Sequence, residues 1–203
     1  MIKLIYATTN KSKIDIMQKS LEALDIEILS LNDVSTSKLS KIEENGSSPL
    51  ENARIKALAY YNALGLPLFS CDSGLYIDGL DENRQPGINV RGPCDHMSDE
   101  EAITYYSALA NEMGGSMVAQ YKNAICLILS NEKIYEYMGD DIASEPFIIT
   151  GKPHKKRNEC FPIDSLSVHI NSDRYYLDME DMQYTTAFAA GFKDFFCRTL
   201  KPA

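Results

Sequence analysis

No stretch of this sequence approaches the roughly 18–20 unbroken apolar residues that a membrane-spanning helix needs. The apolar opening Met1–Ala7 is too short, and turns polar too soon, to read as a secretory leader. The five cysteines (Cys71, Cys94, Cys126, Cys160, Cys197) are scattered, odd in number and without a C-x-x-C pair. That pattern argues against a disulfide framework or a zinc site and for reduced thiols in the cytoplasm. Three histidines (His96, His154, His169) are too dispersed to suggest a metal cluster. Positive charge is also scarce, with 20 basic against 29 acidic residues and a net charge of −9. Such a surface repels nucleic acid and anionic membrane, so any anion the chain handles must meet locally gathered positive charge. No internal repeat, low-complexity tract or linker interrupts the 203 residues, and one domain over 1–203 is the expectation.

What is present alternates between strand-like and helix-like runs. Ile2–Ala7 is short, β-branched and apolar; Lys11–Leu24 repeats apolar residues at three- and four-residue steps. Ile26–Leu29 reads as a strand, and Ser30–Ser48 as a polar loop. Pro49–Leu64 is a helix with proline in its first turn and Gly65 as its stop. Leu66–Ser70 and Gly74–Ile77 are strand-like on either side of a small-residue turn. Ser98 caps a helix that ends at Gly114-Gly115. Val118–Ser130 and Ile134–Met138 flank Asn131-Glu132 as a hairpin, Phe147–Thr150 and Leu166–Ile170 add strands, and Asp181–Leu200 closes the chain as a helix. The expected fold class is α/β with a mixed sheet and flanking helices.

Three segments carry chemistry. Thr8, Thr9, Asn10, Lys11, Ser12 and Lys13 form a strand-to-helix turn that offers backbone N–H groups, hydroxyls, an amide and two ammonium groups to an anion. It lacks the spacing of a P-loop, and an ordinary capped helix with exposed lysines is the plainer alternative. Glu43 and Glu44 precede Asn45-Gly46, where paired carboxylates offer oxygen ligands to a hard cation such as Mg²⁺. Asn52 and Lys56 follow on one helical face, and a solvated acidic loop is the alternative reading. In Ser70-Cys71-Asp72-Ser73-Gly74, Asp72 follows an apolar strand, where a carboxylate can ligate metal, accept a proton from water, or cap a turn.

In order, T-T-N-K-x-K, E-N-G-x-x-x-x-E-N-A-x-x-K-A, D-S-G-L and P-G-I-x-x-R (Pro86–Arg91) resemble the inosine triphosphate pyrophosphatase family, with weaker likeness at Ala119–Tyr121 and Gly139. The resemblance implies an elongated mixed sheet with flanking helices, two lobes around a nucleotide cleft, and a homodimer. It implies Mg²⁺-dependent hydrolysis of nonstandard purine nucleoside triphosphates to monophosphate and pyrophosphate. Thr8–Lys13 and Lys56 would cradle the triphosphate, Glu44 and Asp72 would hold Mg²⁺, Asp72 would handle the water, and Ser73 would bind beside it. Phe161 and Asp164 match the family's base-reading F-x-x-D.

The likeness has gaps. Cys71 stands where the family carries an acid, and Phe161-Pro162-Ile163-Asp164 replaces F-G-Y-D. The segment Met182–Phe188 contains none of the family's lysine and Ser-His-Arg cluster, although Lys152, Lys155, Lys156 and Arg157 offer substitute charge. A nucleotide-binding protein with altered base specificity or little turnover is therefore the second reading, and an unrelated sugar-phosphate or nucleotide-sugar enzyme the third.

Overall fold

The computed structural model describes the chain apart from residues 35–41, 94–96, 160, 180–185, 201–203 and the side chains of 186 and 187. Its strands are β1 (Ile2–Tyr6), β2 (Ile26–Ser30), β3 (Leu68–Ile77), β4 (Ser116–Ser130), β5 (Lys133–Tyr137), β6 (Phe147–Thr150), β7 (Ser167–His169) and β8 (Arg174–Tyr175). Its helices are α1 (Lys11–Ser20), α2 (Pro49–Leu64), α3 (Asp99–Glu112) and α4 (Thr186–Thr199). The strands form one mixed sheet in the order β2-β1-β3-β4-β6-β7-β8, with β5 also paired to β4. β1 runs parallel to β2 and β3, while β5 and β6 run antiparallel to β4. The mixed α/β architecture expected from the alternation is thus present. Among the described residues no helix is long and apolar enough to cross a membrane.

The chain divides into two compact units, Met1–Ser73 with Lys122–Ser144 and Thr185–Ala203, and Gly74–Tyr121 with Glu145–Tyr184. In the first unit, the two-residue period of a strand sorts β1 cleanly. Leu4 and Tyr6 join Phe69, Ile125 and Leu127 on one face, under Met17 and Leu21 of α1 and Phe192, Phe195 and Phe196 of α4. Ile5 and Ala7 join Leu68, Ala124, Cys126 and Ile128 on the other face, under Ala53 and Ala57 of α2. Gly191 lets α4 approach closely: a Cβ there would lie 2.1 Å from the Asp141 carbonyl oxygen. In the second unit, Ile103, Tyr106, Leu109 and Ala110 of α3 pack on Leu75, Ile77, Met117, Ala119, Phe147 and Ile149.

Local signals account for the helix ends. The Ser48 side chain accepts from the Glu51 N–H, Pro49 occupies the first turn, and Gly65 closes α2 in the left-handed region at φ 65°. Ser98 and Glu101 form a capping box on α3. Asn10 caps α1, which stops at Ser20 rather than Leu24, because the chain from Leu21 turns to enter β2.

The turn expected between Ser70 and Gly74 is absent. Leu68–Ile77 is one continuous strand, so Asp72 and Ser73 sit mid-strand. β1 pairs with β3 only at Leu68 and Phe69, β4 is its other neighbour, and a bridge from Gly87 to Leu75 lies just beyond Gly74, so pairing with distant segments overrides the turn tendency of Ser-Gly. The P-G-I segment docks on that strand: Leu75 and Gly87 exchange backbone hydrogen bonds of 2.8 and 2.9 Å, with Gly87 at φ 54°. β8, only two residues long, had no periodicity by which to be foreseen.

Candidate functional site

The first unit brings most of the expected residues together. At the end of β1, the backbone leaves the sheet at Thr8, whose Oγ1 accepts from the Asn10 N–H at 3.1 Å. The Asn10 side chain in turn accepts from the Lys13 N–H at 3.3 Å. These two bonds shape the turn so that the first N–H groups of α1 and the side chains of Thr9, Lys11 and Ser12 face outward from it, with Thr9, Lys11 and Ser12 exposed. Tyr6 pairs with Phe69 in the parallel ladder, which sets Cys71 and Asp72 of β3 just past the end of β1.

Asp72 is the electrostatic centre. Burial raises its carboxyl above the ordinary range, and the Glu44 charge adds to the rise. Lys56, a hydrogen bond from the Asn52 side chain and Lys13 oppose it, with Lys56 the strongest of the three. Lys56 Nζ lies 2.6 Å from Glu44 Oε2, and the lysine side chain is only 15% exposed. A mostly buried ammonium thus pairs with Glu44 and also acts on Asp72. Asn52, 4% exposed, also accepts the Gly46 N–H on its Oδ1 at 2.8 Å.

Cys71, in the position where the resemblance expects an acid, is a thiol pushed by burial up to about 12. It shares a hydrogen bond with the Tyr6 hydroxyl, and burial likewise raises that phenol. Cys71 therefore brings no negative charge at neutral pH. On the next residue, Ser73 Oγ donates to Asn123 Oδ1 at 2.7 Å, and Asn123 Nδ2 donates to the Ile142 carbonyl at 2.7 Å. Ser73 is oriented by a chain of bonds whose middle member, Asn123, belongs to none of the motifs.

The donor set bears on Mg²⁺, which prefers oxygen, keeps several waters, and is commonly shared between one or two carboxylates and substrate phosphates. Glu44 and Asp72 supply such oxygens, and the Glu44 charge is felt at Asp72. Among the described residues no group of three His, Cys, Asp or Glu is arranged to hold a metal by itself. The residues fit a cation that needs the substrate to complete its shell.

Phe161 and Asp164 belong to the second unit. The Asp164 carboxyl is raised by burial and held by Asn158, whose Nδ2 donates to it at 2.6 Å. The Asp164 N–H donates to the Phe161 carbonyl at 3.1 Å, so both residues lie on one tight turn that continues through Pro162–Ser165. Tyr121 senses the Asp164 charge and stacks on Phe147 at 5.4 Å.

The basic loop offers less substitute charge than it suggested, because two of its four basic side chains are already paired. Arg157 Nε donates to Glu100 at 2.6 Å, Lys156 Nζ reaches Asp178 at 3.0 Å, and His154 Nε2 faces the same aspartate at 3.2 Å. Lys152 and Lys155 are exposed. Within Met182–Phe188, positions 182–185 lie outside the described residues. Since Lys156 already has its partner, Lys156→Ala is expected to leave the KM for a triphosphate within about two-fold of wild type in steady-state kinetics. A several-fold rise would return this loop to the substrate.

Comparisons with known proteins bear on the family and the fold. The Ham1 family model matches residues 4–143, and the chain belongs to the Ham1 family, the group the ordered motifs resemble. A dITP/XTP pyrophosphatase of Hydrogenobaculum sp. is 32% identical over 166 residues, covering 72% of this chain and 78% of that protein. A second, from Geobacter sulfurreducens, is 32% identical over 142 residues, 69% of each chain. Among solved structures, a HAM1 protein from Coxiella burnetii matches 98% of this chain and 100% of its own, with TM-score 0.75 and 22% identity. That likeness establishes the fold.

Proposed function

We propose that this chain hydrolyses nonstandard purine nucleoside triphosphates of the ITP, XTP and dITP type, releasing pyrophosphate and the nucleoside monophosphate. The observation that carries this reading is the meeting of Asp72, Glu44, Lys56 and Lys13 beside the first turn of α1. Relatives named as dITP/XTP pyrophosphatases support the reaction class. Phosphoryl chemistry asks for positioning and charge neutralisation rather than a covalent group, and this set supplies both. The α1 turn, Thr8–Lys13, and Lys56 receive the triphosphate oxygens. Asp72, made a stronger base by burial, orients a water and takes its proton as the oxygen attacks the α-phosphorus; the bond to the bridging oxygen breaks and pyrophosphate leaves. Glu44 and Asp72 would hold Mg²⁺, which when bound neutralises charge on the phosphates. Ser73, fixed by Asn123, binds beside Asp72. Phe161 and Asp164 match the positions at which the family reads the base. The same reading carries a cytoplasmic homodimer with no nucleic-acid or membrane partner.

The neutral thiol at Cys71 supports a second reading, a nucleotide-binding protein of the same fold with altered base choice or little turnover. A pyrophosphate-release screen over ITP, XTP, dITP and ordinary triphosphates separates the two. With Mg²⁺ the nonstandard purines are expected to turn over fastest, and EDTA is expected to abolish release. Measurable binding with no release from any triphosphate would select the second reading.

A further inference from the structure

We propose that Asn52 is a positioning residue that pins the Glu44–Gly46 loop to α2 and thereby sets Glu44 beside Asp72. The inference rests on the function proposed above. A buried amide must find partners, and Asn52 lies among alanines: Ala53 and Ala57 on the same helix are fully buried in an apolar cluster. Its Oδ1 takes the Gly46 N–H at 2.8 Å. One helical turn later Lys56 takes Glu44 at 2.6 Å. One turn of α2 therefore holds the same loop at two points, through a backbone N–H and through the carboxylate itself. Glu51 adds a third hold, accepting the Ser47 N–H at 2.6 Å.

The seat is close enough to dictate its residue. A Cβ on Gly46 would lie 2.7 Å from Glu51 Cβ, 2.8 Å from Asn52 Oδ1 and 3.0 Å from the Asn52 nitrogen. Two of those atoms belong to the helix backbone or its first side-chain carbon, which cannot swing aside. Glycine at 46 and asparagine at 52 are thus two halves of one contact. The same amide also helps to lower the Asp72 carboxyl, so the side chain that binds the loop carrying Glu44 bears on the carboxylate opposite it.

The test compares three variants of the full chain with ITP and Mg²⁺, together with hydrogen–deuterium exchange of the metal-free protein. Asn52→Asp keeps an acceptor for Gly46 but replaces the donor with a further carboxyl near Asp72; its Gly46 amide should stay protected while kcat falls about ten-fold or more, with KM changed less than kcat. Asn52→Ala loses both ends, so Gly46 exchange should quicken and kcat fall at least as far. Because a buried asparagine can also matter to folding, Gly46→Ala approaches the contact from the loop and should lower kcat while the helix content stays that of wild type. Turnover within about two-fold of wild type in Asn52→Ala or Gly46→Ala would overturn the proposal. So would unchanged Gly46 exchange in Asn52→Ala. If wild type releases no pyrophosphate from any triphosphate, the functional reading fails, while the exchange measurement still decides whether Asn52 pins the loop.

Discussion

Asp72→Asn is expected to cut pyrophosphate release by about 10²–10⁴-fold, the range a positioned general base supplies. Triphosphate binding in EDTA, followed by calorimetry, should change little, because the α1 turn and Lys56 are untouched. The fold should not suffer either. Burial and Glu44 make the folded Asp72 hold its proton more tightly than the unfolded one. Its contribution to stability is therefore largest at pH below the unfolded carboxylate range and is lost as pH rises through its raised folded value. At neutral pH the ionised group is a cost that the isosteric amide relieves, so the melting temperature should match or exceed that of wild type. A variant with wild-type turnover would remove Asp72 from the role of base. A variant that is inactive but also unfolded would contradict the electrostatic account.

Gly191→Ala should destabilise the protein although it adds only one methyl group. The new Cβ would meet the Asp141 carbonyl oxygen at 2.1 Å, its carbon at 2.5 Å and Ile142 Cγ2 at 2.9 Å. Two of those atoms are backbone, so either the helix or the Asp140–Ile142 turn must move. Overpacking of this kind costs about 1–3 kcal/mol and sometimes more, and at roughly 2–4 °C per kcal/mol for a chain of this size the expected fall in Tm is about 2–12 °C. The push also travels. Ile142 accepts the Asn123 amide, and Asn123 holds Ser73, so the displaced turn sits two hydrogen bonds from the residue next to Asp72. Loss of turnover should accompany the loss of Tm in a scanning-calorimetry and kinetics pair. An unchanged Tm would mean that α4 and the turn separate at no cost.

Where structure is set by neighbours in sequence, the sequence was readable. α2 was expected at Pro49–Leu64 and occupies it, because Ser48, Pro49 and Gly65 mark its ends within a few residues. β6 at Phe147–Thr150 and the β4–β5 hairpin about Asn131-Glu132 were equally plain. The break expected at Ser73-Gly74 is absent because partners distant in sequence, β4 and the Gly87 bridge, pair with β3 beyond the end of β1. The same distinction governs the site. Which residues bear charge was legible in the motifs, but not which charges were already taken. Arg157 meets Glu100 across 57 positions and Lys156 meets Asp178 across 22, so the loop looked more available than it is. Asn52 was visible only as a residue one turn from Lys56; its bond to Gly46 crosses a loop and a helix start, a pairing no periodicity announces. Asn123 and Asn158 each orient a site residue, and isolated asparagines carry no pattern of their own.

The self-contained ends of α2 bear on the order in which the molecule comes together. Sixteen residues is just beyond the roughly 12–15 at which an isolated helix becomes marginal in water, and both terminal signals lie within the segment Ser48–Gly65. This helix needs little from the rest of the chain to take its shape, so Asn52 and Lys56 are aligned one turn apart at low cost in loop closure. Asp72 reaches its place only when β3 finds β1, a pairing of Tyr6 with Phe69 that closes most of the first third of the sequence. The amide and ammonium half of the site thus rests on local structure, and the carboxylate half on a long-range pairing.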